Sequence, residues 1–282
     1  MKNKTEQFYS TMKYPLPSKE VINFFQSAEW VTEDSLQYHP ELCDLFSREK
    51  TDDRMSEYIA FCDEYWSLRT KIPFVEQVYL ANSITFNALH EWSDIDVLIV
   101  VRPWRVWLVR MYTWLLFFIK WILRTGPRIA KKICTSFFVD SKHLNFYTLL
   151  LQPLDIYFIF WLAHLVPRYS LQIKESDVVW KNNKRIKGYM PHHPLKQVIR
   201  LQNELCYGTT KTRDFVEIVL WSWLGDICNW LVSVIWRPIM LWKKRKLGKI
   251  GWWIIISDVM LKFHGDKRKD ILLKYKSKHW EK

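Results

Sequence analysis

The sequence predicts an α+β fold: a small mixed sheet flanked by helices, followed by a helical, basic C-terminal region. Three observations carry this. Tyr58, Phe61, Cys62, Tyr65 and Trp66 recur at steps of three and four between Arg54 and Arg69, which makes one apolar face of a helix. Short β-branched runs bounded by turn residues stand at Val75–Ala81, Ser93–Val101 and Lys132–Val139. The second half then returns mainly to apolar stretches of helical length. The chain divides on this reading into an N-terminal helical segment, 1–70, a core, 71–142, and a helical region, 143–282.

Composition bounds the function classes. With 282 residues there is room for one large domain or two smaller ones, and a core can form without disulfide staples. At 49% hydrophobic, 25% charged and only 7 Gly, the chain is neither disordered nor collagen-like. Its 17 Trp call for a core, an interface or a membrane surface to receive them. The net charge of +13 is uneven: the first hundred residues are net acidic and the remainder strongly basic. Such a balance suits an anionic partner, whether RNA, nucleotide phosphates or an anionic membrane surface. Five cysteines, an odd number with no Cys-x-x-Cys, argue for reduced thiols in the cytoplasm and against a thiolate zinc site. The start, MKNKTEQFYS, lacks the apolar run of a secretory signal. The most apolar stretches are interrupted by Arg110 and Lys120, or by Asp226 and Arg237. A conventional spanning helix, which needs about 18 apolar residues, is therefore not expected.

The elements follow in order. Pro73 ends the first helix. Val75–Ala81 is a strand and Asn82-Ser83 a turn. Ser93–Val101 is a second, largely buried strand. Trp104–Arg124 is a long aromatic helix ending near Gly126-Pro127, and Lys132–Val139 a third strand. Leu154–Val166 reads as a helix and Val179–Pro194 as a basic loop. Phe215–Trp236 reads as one apolar helix stopped by Pro238. Ser257–His264 and Asp266–His279 read as two short helices.

The chemistry is concentrated in Ser93-Asp94-Ile95-Asp96. Residues two apart on a strand share a face, so Asp94 and Asp96 project together while Ile95 turns into the core. Two adjacent carboxylates repel unless a cation lies between them, and magnesium is held in this way by a few carboxylates plus substrate phosphates. Upstream, the strand ending in Leu80-Ala81-Asn82-Ser83 offers backbone N–H groups and a hydroxyl to a phosphate.

An apolar strand, a small polar turn, a spacer and Asp-x-Asp on the next strand, here YLANSITFNALHEWSDIDVLIVV over 79–101, resemble the signature of the nucleotidyltransferases of the DNA polymerase beta type. The chain also resembles a narrower group of bacterial proteins with this domain in IPFVEQV…NS, in RVWLVR (Arg105–Arg110) and in ISDVMLKFHGDKR (Ile256–Arg268). That group brings no established substrate. The resemblance implies a nucleotidyltransferase-like sheet. It implies metal-dependent transfer of a nucleoside monophosphate from an NTP, ATP foremost, to an acceptor, with release of pyrophosphate. Asp94 and Asp96 would hold Mg2+ or Mn2+, and Asn82 and Ser83 the nucleotide phosphates. The chain departs from the signature twice. Asn82 stands where the family has Gly, and Asn tolerates left-handed backbone better than most residues. The family's third carboxylate has no counterpart within Ile133–Val139, and Asp140 at the end of that strand is the reserve candidate. Acceptors that fit are a protein hydroxyl, an RNA end, a small molecule and a lipid headgroup.

Other features carry plainer readings beside sharper ones. Trp104–Arg124 and Phe215–Trp236 read as core helices, the second suited also to a homodimer contact. Read as surface helices, they would grip headgroups or nucleic acid. Lys243–Lys246 with Trp252-Trp253 is a solvated turn or a stacking patch for single-stranded nucleic acid. Lys181–Lys187 reads equally as a basic loop that meets a triphosphate and as an ordinary one, His192-His193 and His264 read as loop or helix-end residues, and His164 as a hydrogen-bonded core group.

Overall fold

The computed structural model describes residues 52–85, 89, 91–124, 130–151, 155–171, 178–188, 206–248 and 252–265. The segment 1–51, the His192-His193 loop and the helix expected over Asp266–His279 lie outside the described residues, as do the side chains of Trp252, Trp253 and His264.

The first helix is α1 (Asp52–Trp66), followed by a 3-10 turn over Ser67–Lys71. Strand β1 (Val75–Ala81) leads through a 3-10 turn at Asn82–Ile84 to β2 (Ile95–Val101). Then come α2 (Val106–Ile119), β3 (Ile133–Asp140), α3 (Ile156–Ala163), β4 (Val166–Ser170), α4 (Val178–Asn182) and α5 (Lys184–Gly188). A two-residue strand β5 (Cys206–Tyr207) precedes α6 (Lys211–Leu220) and α7 (Trp223–Gly248). The hairpin β6 (Trp252–Ile256) and β7 (Met260–Gly265) closes the described chain.

The seven strands among the described residues form one mixed sheet in the order β5-β4-β1-β2-β3-β7-β6. The β1–β2, β1–β4, β3–β7 and β6–β7 pairs are antiparallel, whereas β2–β3 and β4–β5 are parallel. Every residue of β2 is buried because both faces are covered. Leu98 and Val100 pack with Phe158, Trp161 and Trp180 of α3 and α4 on one face. Val97, Ile99 and Val101 pack with Tyr58 of α1 and Trp107, Val109 and Phe117 of α2 on the other.

The α+β class holds, but the region after 143 is not a separate helical unit. It supplies β4 and β5 to one side of the sheet and β6 and β7 to the other. The helix expected at Ser257–His264 is the turn and second strand of a hairpin. Backbone hydrogen bonds close it, Ser257 Oγ accepts from the Met260 N–H at 2.9 Å, and β7 pairs with β3 from Val139↔Met260 to Phe137↔Lys262. Its short apolar run fits a strand as well as a helix, and the vacant edge of β3 decides. The helix expected over Leu154–Val166 ends at Ala163, and Val166 opens β4. The basic loop from Val179 begins instead with α4 and α5.

The single helix expected over Phe215–Trp236 is two. The chain bends at Trp221-Ser222 so tightly that a Cβ on Gly225 would meet the Leu220 carbonyl oxygen at 1.8 Å. Pro238 does not stop the second helix, which runs on to Gly248. Gly225, Val232 and Met240 of α7 turn inward, and much of the rest of α7 is exposed.

Candidate functional site

Three elements meet where β1 ends and β2 begins. Antiparallel pairing sets Ala81 opposite Asp96, so the turn that follows β1 lies beside the carboxylate pair. Asn82 takes a left-handed backbone conformation (φ 60°), the conformation that the departure from Gly required it to tolerate. Its side chain adds what glycine lacks: Asn82 Nδ2 donates to Asp96 Oδ2 at 2.6 Å. Thr85 closes the turn through its N–H and hydroxyl, each donating to the Asn82 carbonyl at 2.9 Å. Ser83, half-buried, follows Asn82 within the turn.

Asp94 sits one residue before β2, and Asp96 is the second residue of that strand, only 7% exposed. The Ser93 carbonyl beside them is held by the Tyr58 hydroxyl at 2.8 Å and by the Lys131 N–H at 3.0 Å. The two carboxylates come together with the thiol of Cys134, one ligand atom from each lying within 4.8 Å of the others. Arg124, just beyond α2, ion-pairs with Asp94. Burial, and after it the neighbouring Asp96 charge, holds the Asp94 carboxyl above its usual range, with Arg124 offsetting part of the rise. Burial and then the two aspartates push the Cys134 thiol well up, which keeps it protonated. Arg110 reaches the same strand from α2. It donates to the Thr135 carbonyl at 3.2 Å, lies over the rings of Phe138 and Phe263, and is lowered to about 10 by burial.

Asp140 does not join this cluster. The parallel register aligns Asp96 with Cys134 and Val101 with Asp140, about 16 Å further along the strand at ~3.3 Å per residue. There the Asp140 carboxylate is fully buried in a structural task. It accepts from the Trp104 N–H at 3.1 Å and the Lys142 N–H at 2.7 Å, holding Trp104 in a left-handed conformation (φ 61°), and it pairs with His143. Cys134 and Arg124 are the two residues that reading the chain in one dimension missed. Cys134 stood inside the expected strand without an acid to mark it, and nothing local singles out Arg124.

No family model, curated protein or solved structure matches this chain.

The donor set therefore has to be weighed by its own chemistry. Two carboxylates fit a hard divalent cation such as magnesium or manganese, whose other ligands would come from water and phosphate oxygens. A sulfur donor is soft and suits magnesium poorly, so the two carboxylates are the better ligands for that ion. An open cleft of about 590 Å³ lies at the opposite end of the sheet, lined among others by Phe74, Arg102, Arg105 and Trp221. Its arginines are already committed, Arg102 to Glu217 and Glu76 and Arg105 to Asp226, and it shares no residue with the aspartate site.

Proposed function

We propose that the chain binds a magnesium- or manganese-bound nucleoside triphosphate, ATP foremost, and transfers the nucleoside monophosphate to an acceptor with release of pyrophosphate. One observation carries the reading: the Asn82-Ser83 turn and the Asp94–Asp96 pair, separated in sequence, lie side by side because Ala81 pairs with Asp96. Asp94 and Asp96 would hold the cation, which supplies charge neutralisation on the triphosphate when bound. The chain's own share is positional. Asn82 orients the Asp96 carboxylate, and the Ser83 hydroxyl and turn N–H groups face β- and γ-phosphate oxygens. An acceptor oxygen forms its bond to the α-phosphorus as the bond to the β-phosphate oxygen breaks.

A second reading has its own support. Cys134 stands in register with Asp96 where the resemblance calls for an acid, and Arg124 already neutralises Asp94. Both favour a relative that binds nucleotide without turnover, a task that needs fewer carboxylates than activating an acceptor.

Incubating the protein with each α-labelled NTP, magnesium or manganese, and a cell lysate separates the two. Label reaching protein, RNA, lipid or a small molecule with wild type, and not with Asp94→Asn/Asp96→Asn, supports transfer and reveals the acceptor class. Metal-dependent NTP binding without transfer supports the second reading. Neither binding nor transfer overturns both.

A further inference from the structure

We propose that the exposed side of α2 and α7 docks in plane on an anionic lipid bilayer. The inference is independent of the nucleotide reading. α7 lies alongside α2 and runs the same way. Near the start of both, Asn229 Oδ1 accepts from the Trp107 and Leu108 N–H groups at 3.1 and 3.0 Å, and further on Trp236 meets Trp114 edge-on at 5.5 Å. The side of α7 turned away from these contacts is apolar and uncovered. Trp223, Ile227, Trp230, Val234 and Leu241 are all exposed, at steps of three and four once Pro238 fills the gap, and none carries a charge. A stripe from Trp223 to Leu241, about 28 Å of helix, exceeds the isolated patches of ordinary soluble surfaces.

α6 supports an apolar surrounding from a different direction, because it is built inside out. Arg213 is 0% exposed and Glu217 is buried beside it, while Phe215, Ile218 (75%) and Val219 face outward. Water as the only neighbour would favour the reverse arrangement.

Charge selects the occupant. Lys243, Lys244, Arg245 and Lys246 are exposed in the last turns of α7. The exit of α2 brings exposed Phe118, Ile119 and Trp121 (78%), with Lys120 between them, alongside the later part of α7. An apolar stripe ending in a lysine cluster, with tryptophans at both ends (Trp223 and Trp242), matches a headgroup–acyl boundary. Protein interfaces, in contrast, are depleted of lysine. Trp223–Lys246 is also long and apolar enough to cross a membrane by length and composition alone, despite Asp226 and Arg237 within it. Its flank is tied down, however: Asp226 pairs with Arg105, and Arg237 with Asp258. These ties hold α7 along the domain, so it lies on the bilayer rather than through it.

Vesicle flotation of the full chain tests this. Wild type should float with phosphatidylcholine–phosphatidylglycerol vesicles and bind phosphatidylcholine alone more weakly. Trp230→Ser/Val234→Ser should lower partitioning about tenfold or more. Lys244→Gln/Arg245→Gln should lower it about tenfold on anionic vesicles only. Circular dichroism and thermal melts establish that both variants remain folded. Three outcomes overturn the proposal. The first is no flotation with either lipid. The second is a dimer by light scattering that Trp230→Ser/Val234→Ser reduces to monomer without any vesicle binding, which assigns the face to a second copy. The third is association that survives carbonate extraction, which assigns α7 to a span.

Discussion

Cys134 stands directly across the parallel β2–β3 ladder from Asp96, its thiol within 4.8 Å of the carboxylates of Asp96 and Asp94. A third acid at this position would complete a cation cage, and without a cation it would add a third like charge. Cys134→Asp is therefore expected to destabilise the protein by about 1–3 kcal/mol in EDTA. It should recover that loss, and gain more than wild type does, when manganese is added. Thermal melts with and without the metal check this. Equal responses of variant and wild type would remove the cluster from consideration as a cation site.

Arg124 holds Asp94 as a tethered cation. Arg124→Gln should cost about 0.5–1 kcal/mol in the metal-free protein, since the pair is partly exposed. It should also strengthen manganese binding several-fold, up to about tenfold, because a competing positive charge is gone. Calorimetric titration with manganese alone reads both the affinity and its direction.

Asn82 has two duties that substitution separates. Gly keeps the left-handed backbone and loses the bond to Asp96, whereas Ala loses both. The expected order of stability is wild type, Asn82→Gly, Asn82→Ala, with about 1 kcal/mol between the two variants. Urea unfolding midpoints report the order, and an Ala variant as stable as the Gly variant would contradict it.

The buried ion network of α6 is a second structural centre. Arg213 donates through Nε to Glu217 at 2.7 Å, through Nη2 to the Val75 carbonyl at 2.7 Å, and through Nη1 to the Tyr169 hydroxyl. Glu217 also accepts from the Phe74 N–H at 2.7 Å and pairs with Arg102 at 3.3 Å. Arg213→Met, which takes the closest cation from Glu217 and leaves it Arg102 and the Phe74 N–H, should cost about 1–3 kcal/mol, and the double variant Arg213→Met/Glu217→Leu should regain part of it. Denaturant unfolding of the three proteins tests the coupling.

Tyr169, buried against that arginine, titrates above its usual range because burial outweighs the nearby guanidinium. A raised folded-state value means the unfolded chain gives up the proton first. The tyrosine's contribution is thus fully present below about pH 10 and is lost as pH rises through the folded-state value. Tyr169→Phe should flatten the alkaline limb of the stability profile while lowering stability at neutral pH, where the bond to the Gly208 carbonyl at 2.9 Å is lost. Melting temperature measured across alkaline pH resolves the two effects.

The residues alone determined the parts that local rules govern. The periodicity of Tyr58, Cys62 and Tyr65 placed α1. The β-branched runs placed β1, β2 and β3 within a residue or two, and Asp94 and Asp96 were matched by their two-residue spacing. The turn at Asn82-Ser83 was legible as a polar break after the first strand, and its left-handed backbone was suggested only by the resemblance, which has Gly there. Tertiary structure decided the rest, since pairing partners far apart in sequence leave no local mark. Strand register put Cys134, and not Asp140, beside the aspartates. An open edge on β3 drew 252–265 into a hairpin in the sheet. Partners on β1, β4 and the Phe74 backbone let α6 turn its charges inward, leaving apolar side chains outside where helical periodicity alone would have buried them.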